Sequence, residues 1–175
     1  MLRARILFNK DPKNSLENVR MMFDDYAAVS LLLNNKVYQV TNGEVTVSPY
    51  EFLKHKADVS FDILVPNAYV YTKAEKFLQR QIGKPFDTFG ATLGQYLGLG
   101  FQSGDKWYDA EIVSRFLQYC LFDEIMEYNA SKMNLKTLAM ICGSIVKNQS
   151  DRKRAVLTKS TTSTTNTTVT DTTIE

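Results

Sequence analysis

Two hydrophobic periods divide this chain, the first prevailing in its N-terminal part and the second in its C-terminal part. Up to Val65 most short apolar runs alternate at every second position, with two short helical stretches between them; beyond Thr72 apolar residues recur every three or four. Strands therefore come first and helices after, which restricts the fold to the α+β class: a small antiparallel sheet with helices packed on it. Arg3–Phe8 reads as a strand with Ala4, Ile6 and Phe8 on one side and Arg3, Arg5 and Leu7 on the other. Ala27–Leu33 is a mostly apolar run suited to a buried strand. Asn34-Asn35 is a two-residue turn signal, and Lys36–Val40 and Glu44–Val47 alternate around Thr41-Asn42-Gly43 as a second hairpin. Ser60–Val65 is a further strand, closed by Pro66-Asn67.

Helical spacing marks the remainder. Ser15–Phe23 places Leu16, Val19, Met22 and Phe23 on one face, and Pro49–Lys56 reads as another short helix. Thr72 is a candidate cap, followed by Ala74, Phe77, Leu78 and Ile82, with Gly83-Lys84-Pro85 ending the helix. Asp105–Phe122 carries the clearest stripe (Ile112, Val113, Phe116, Leu117 and Cys120), and Leu135–Val146 reads as a last short helix.

The sequence divides into a domain at 1–150 and an arm at 151–175. Asp151-Arg152-Lys153-Arg154 reads as a charged hinge, and the threonine-rich remainder cannot bury enough apolar area to order itself. Its β-branched residues favour extended chain, so strand addition or groove docking on a partner is the expected use. The candidate partner-binding residues are Thr161, Thr162, Thr164, Thr165, Thr167, Thr168, Val169 and Ile174.

Composition removes several functions. A net charge of +2 gives no bulk attraction to nucleic acid, and the aromatics are not interleaved with Lys and Arg as a base-stacking platform requires. No apolar run is long enough for a transmembrane helix, and the N-terminus lacks a signal peptide's apolar middle. One histidine, His55, forbids a two-histidine metal site; no metal or cofactor is expected. Gly90, Gly94, Gly98 and Gly100 are not followed by Lys-Ser/Thr, so they form no phosphate loop. Cys120 and Cys142 sit in apolar helical contexts and read as core thiols, while His55 lies between two lysines on a solvated face. Asp87 reads as a turn residue.

Four stretches, in order, carry a resemblance: Arg3–Phe8, Tyr26–Leu31, Gln81–Asp87 (Gln-Ile-Gly-Lys-Pro-Phe-Asp) and Lys106–Val113 (Lys-Trp-Tyr-Asp-Ala-Glu-Ile-Val). Together they resemble the circularly permuted papain-like hydrolases, the NlpC-like amidase group common in bacteriophage genomes, over roughly residues 3–146. In that family a strand carries Ser-His-Val-Glu-Leu, and a Gly-Lys-Pro-Tyr-Asp segment precedes a helix opening Trp-Phe-Cys-Ser-Glu. Trp107, Tyr108 and Glu111 match the helix opening, and Val29 and Leu31 the strand. The nucleophilic cysteine falls on Asp109 and the general-base histidine on Ala28. A methyl group moves no proton, and Asp109 at a helix start is an ordinary N-cap. Losing both members of a catalytic unit removes the mechanism.

The resemblance thus implies a pseudoenzyme, with no catalytic residue and a former cleft lined by Trp107, Tyr108 and Glu111. It further implies a structural protein of a tailed-phage virion, made in the host cytoplasm, that joins other virion proteins and copies of itself through its arm. The alternatives are a hydrolase with a relocated nucleophile at Cys120 or Cys142, and a peptide- or acyl-binding module using the old cleft.

Overall fold

A computed structural model of the chain describes residues 2–13, 15–41, 43–52, 57–88, 91 and 105–164. Five strands, β1 (Leu2–Asn9), β2 (Ala28–Leu33), β3 (Lys36–Thr41), β4 (Glu44–Pro49) and β5 (Val59–Val65), form one antiparallel sheet in the order β4-β3-β2-β1-β5. Asn34 and Asn35 both adopt left-handed backbone, which lets the β2–β3 hairpin close in two residues. Ile6 faces Leu31 on one side and Phe61 on the other, and Ala4 faces Leu33 and Ile63. One face of the sheet is thereby apolar across three strands, as the period-two pattern requires. On the opposite face Arg5 pairs in register with Asp62, with Nε 2.7 Å from Oδ1.

The helices are α1 (Ser15–Arg20), α2 (Ala68–Gln79), α3 (Asp109–Tyr119), the single turn α4 (Asp123–Met126) and α5 (Leu135–Thr164). The α+β expectation holds. Helix α3 packs against β2 and α2, and α5 against β5. Phe116, Leu117, Leu138 and Cys142 bury against Ile6, Leu31 and Ile63 in the shared core. Leu64 of the edge strand β5 is closed off by α5: the Gln149 amide accepts from its N–H at 3.0 Å and donates to its carbonyl at 2.8 Å. This protects a sheet edge that would otherwise offer itself for pairing.

Three boundaries differ from expectation. The cap of α2 is Asn67, whose side chain accepts the Tyr69 N–H at 2.8 Å. Thr72 lies a turn inside, its hydroxyl donating to the Ala68 carbonyl. The segment after Pro49 makes a 3₁₀ turn at Tyr50–Phe52; the rest of that expected helix, with His55, lies outside the described residues, as do Gly90, Gly94, Gly98 and Gly100.

The third difference is the largest. Helix α5 does not stop at Val146 but continues to Thr164, through the supposed hinge. Residues 151–164, expected as extended arm, are helical. No Gly or Pro follows Gly143, and Lys, Arg, Ala and Leu are good helix formers that let a packed helix propagate. At 30 residues α5 is about 45 Å long, and residues 151–155 are all exposed. Thr161, Thr162 and Thr164 fall in its last turns; Thr165, Thr167, Thr168, Val169 and Ile174 lie outside the described residues.

Candidate functional site

The ladder between β2 and β3 is paired from Leu33↔Lys36 to Leu31↔Tyr38. Beyond it the N-terminus of α3 approaches β2. There the Val29 N–H donates not to a neighbouring strand but to Oδ2 of Asp109, at 3.0 Å. Helix α1 ends at the same point, and Arg20 turns its guanidinium onto the carboxylate. Nη2 lies 2.6 Å from Oδ1 and Nη1 lies 3.2 Å from Oδ2. The Ala110 N–H donates to Oδ1 at 3.0 Å. Each carboxylate oxygen thus accepts two hydrogen bonds, which fills the roughly four lone-pair sites such a group offers. Arg20 is 2% exposed and Asp109 5%.

This corrects the reading of Asp109 as a cap. The capping position of α3 is Tyr108, which makes no side-chain cap bond; Asp109 is the first residue inside the helix. Its carboxylate gains from the helix's positive end, but its principal work is to tie α1, β2 and α3 together.

Arg20 is the residue sequence reasoning missed. Helical spacing over 15–23 put Val19, Met22 and Phe23 inward, yet these are exposed at 43%, 76% and 60% while Arg20 is buried. The one available signal was a cation lying off the apolar stripe of a very short helix. A buried guanidinium needs a carboxylate partner, and nothing local in the chain reveals one 89 residues away.

The two positions matched to the family's catalytic pair do converge. Ala28 and Asp109 line one groove of about 480 Å³, together with Ser15, Thr41, Phe86 and Thr88. The other matched residues do not line it, contrary to expectation. Tyr108 is 1% exposed, its hydroxyl donates to the Ala130 carbonyl at 3.0 Å, and burial lifts its phenol far above the ordinary range. Glu111 is buried two residues further on, where the helix turns it elsewhere. Burial pushes its carboxyl up to about 7, with Asp87 adding to the effect and Arg115 opposing it. Trp107 lines a separate groove of about 610 Å³ with Phe77 and Tyr119. Its ring meets Phe77 edge-on at 5.6 Å, and Lys84 lies over it at 5.9 Å.

Neither thiol is placed for nucleophilic work. Cys120 caps the C-terminal end of α3, away from the helix's positive end, and Cys142 lies within α5. Both are free and buried, and burial pushes each thiol up to about 12, so almost no thiolate exists at neutral pH. Among the described residues no group of three or more His, Cys, Asp or Glu side chains could hold a metal ion. No described helix is long and apolar enough to cross a membrane. Comparison with protein-family models, with curated proteins and with solved structures returns no significant match.

Proposed function

We propose that the chain is a non-catalytic structural protein of a tailed-phage virion, a pseudoenzyme on a papain-like scaffold that joins neighbouring subunits. The observation that carries the non-catalytic part is the saturation of Asp109. At the position matched to the nucleophile stands a carboxylate whose four acceptor sites are all engaged, opposite a methyl group at the position matched to the base. Such a group can neither attack a carbonyl nor take a proton without first breaking a buried ion pair. What the scaffold retains is shape.

The joining role rests on the C-terminal part of α5, where residues 151–155 are all exposed. An exposed stretch of helix beyond the packed part of α5 is a handle for a neighbour, and repetition in a symmetric particle multiplies a modest contact into a firm one. The phage setting rests on the sequence resemblance. Truncation after Ser150 tests the reading: the expected product is a folded globule that fails to enter assembled particles, and normal incorporation overturns the joining role.

A second reading, a peptide- or acyl-binding module, is favoured by the groove beside Ala28 and Asp109. Saturable binding of a short peptide or acyl chain, lost on Ala28→Trp, would establish it over the first.

A further inference from the structure

The groove beside Trp107, of about 610 Å³, lies where α2 and α3 pack side by side. Tyr69, Lys73 and Phe77 follow at four-residue intervals along α2, which sets them on one face over about 12 Å. Arg115 and Tyr119 stand four apart on α3 and line the same space. Aromatic rings and cations thus alternate around the groove, although they do not alternate along the chain. The inner rings are fixed: Phe77 lies 4.7 Å from Tyr119 and meets Trp107 edge-on. The outer ones are open, Tyr69 at 75% exposure and Tyr119 at 37%. Among the described residues no carboxylate lines the groove, and neither Lys73 nor Arg115 forms a salt bridge. Glu111 acts on Arg115 through space but is buried and does not line the groove.

Local charge here exceeds what the composition suggests. Residues 66–86 carry Lys73, Lys76, Arg80 and Lys84 against Glu75, a net of +3 in a chain whose total is +2. The rest of the chain is therefore net acidic, and the near-neutral average conceals a basic face. Glu75 is engaged elsewhere, accepting from the Asn34 amide at the β2–β3 turn at 3.3 Å. Lys76 and Arg80 are exposed on the same helix end, and Lys84 reaches over the Trp107 ring.

We propose that this groove binds single-stranded nucleic acid without sequence preference, the phosphates drawn by Lys73 and Arg115 and the bases stacked on Tyr69 and Tyr119. Open rings call for a planar group with an apolar face, and unpaired cations call for an anion. A single strand presents both in every repeating unit. A duplex hides the faces of its bases, and an acidic peptide offers the charge without the rings. Strand binding goes beyond the assembly role proposed above and does not depend on it; incorporation of the truncated chain bears on that role alone.

Trp107 is the sole tryptophan of the chain, so its fluorescence reports on the groove directly. Titrating the full chain with a short oligothymidylate at low salt should quench that fluorescence saturably. Affinity should fall with added salt, at a log–log slope of about −0.7 for each phosphate neutralised. Tyr69→Ala should weaken binding roughly tenfold through lost stacking. Lys73→Gln should weaken it several-fold and make the salt slope shallower by about 0.7. Both side chains are exposed, so neither variant should move the melting temperature. Lys13→Gln, in the loop after β1, removes an exposed charge outside the groove and should leave binding unchanged. No binding at low salt, by quenching or by anisotropy of a labelled oligomer, overturns the proposal. So does indifference to Tyr69→Ala, or an equal loss in Lys13→Gln and Lys73→Gln, which marks diffuse attraction by charge. A matching duplex bound as tightly as the single strand shows the rings unused and overturns it as well. Poly-glutamate bound as tightly assigns the groove to an acidic protein partner, and thymidine monophosphate bound as tightly assigns it to a free nucleotide; either result removes the strand.

Discussion

The Arg20 guanidinium grips the Asp109 carboxylate at two points, 2.6 and 3.2 Å, with both side chains nearly excluded from water. The contact joins the end of α1 to the start of α3. Removing one partner leaves the other charge buried alone, which typically costs about 3–5 kcal/mol, against about 1 kcal/mol for a lost cap. Asp109→Ala should therefore lower unfolding free energy in urea by several kcal/mol, and Arg20→Ala similarly. The pair Arg20→Met with Asp109→Leu should recover most of that loss, since it strands no charge. A loss under about 1 kcal/mol in Asp109→Ala would return the residue to the status of a cap.

Glu111 makes stability depend on pH. Its carboxyl ionises near 4.5 in the unfolded chain and near 7 in the fold, because burial penalises the charge. Between those values the folded state holds a proton that the unfolded state has released. The stabilising contribution is thus complete below about 4.5, is lost as pH rises toward 7, and stays lost above it. The full span is on the order of 3 kcal/mol. Glu111→Gln should flatten this slope and melt higher than wild type at pH 8, as read by paired melting curves at pH 4.5 and 8. Parallel curves for the two proteins would show that Glu111 is already charged in the fold.

The thiols should be silent until the chain opens. With Cys120 and Cys142 buried and pushed up to about 12, a thiol reagent at neutral pH should label neither in the native protein and both in denaturant. Rapid native labelling of one of them would mark a reactive cysteine and revive the hydrolase alternative.

Leu121 holds a side chain where the backbone favours glycine. Leu121→Gly relieves a left-handed side-chain conflict at the end of α3 and should stabilise the monomer by roughly 0.5–1 kcal/mol, little offset by lost burial at an exposed site. Equilibrium unfolding in urea reads the change; a lower stability would show that the contacts of the leucine outweigh the strain of its backbone.

The sheet was legible because its information is local. Alternation from Arg3 to Phe8, the asparagine pair at the β2–β3 turn and the apolar run into Leu33 each specify a strand or a bend from side-chain size and backbone preference alone. The stripe on α3 was legible for the same reason, its 3.6-residue period being a property of the segment itself. The end of α5 was misread because its helicity is propagated from a packed N-terminal half, and threonine's modest preference for extended chain is a weaker term than that continuation.

What the sequence determined by itself was the class of fold, the absence of a cysteine and a histidine at positions 109 and 28, and the residue types available at the start of α3. Tertiary structure alone decided what Asp109 does there. A carboxylate at a helix start is compatible with a cap, a base or a buried ion pair, and the choice is made by what lies within about 3 Å in space. Arg20 and Val29 reach that distance only after α1, β2 and α3 have been brought together by burial of their apolar neighbours, a non-directional force that leaves no mark on local sequence.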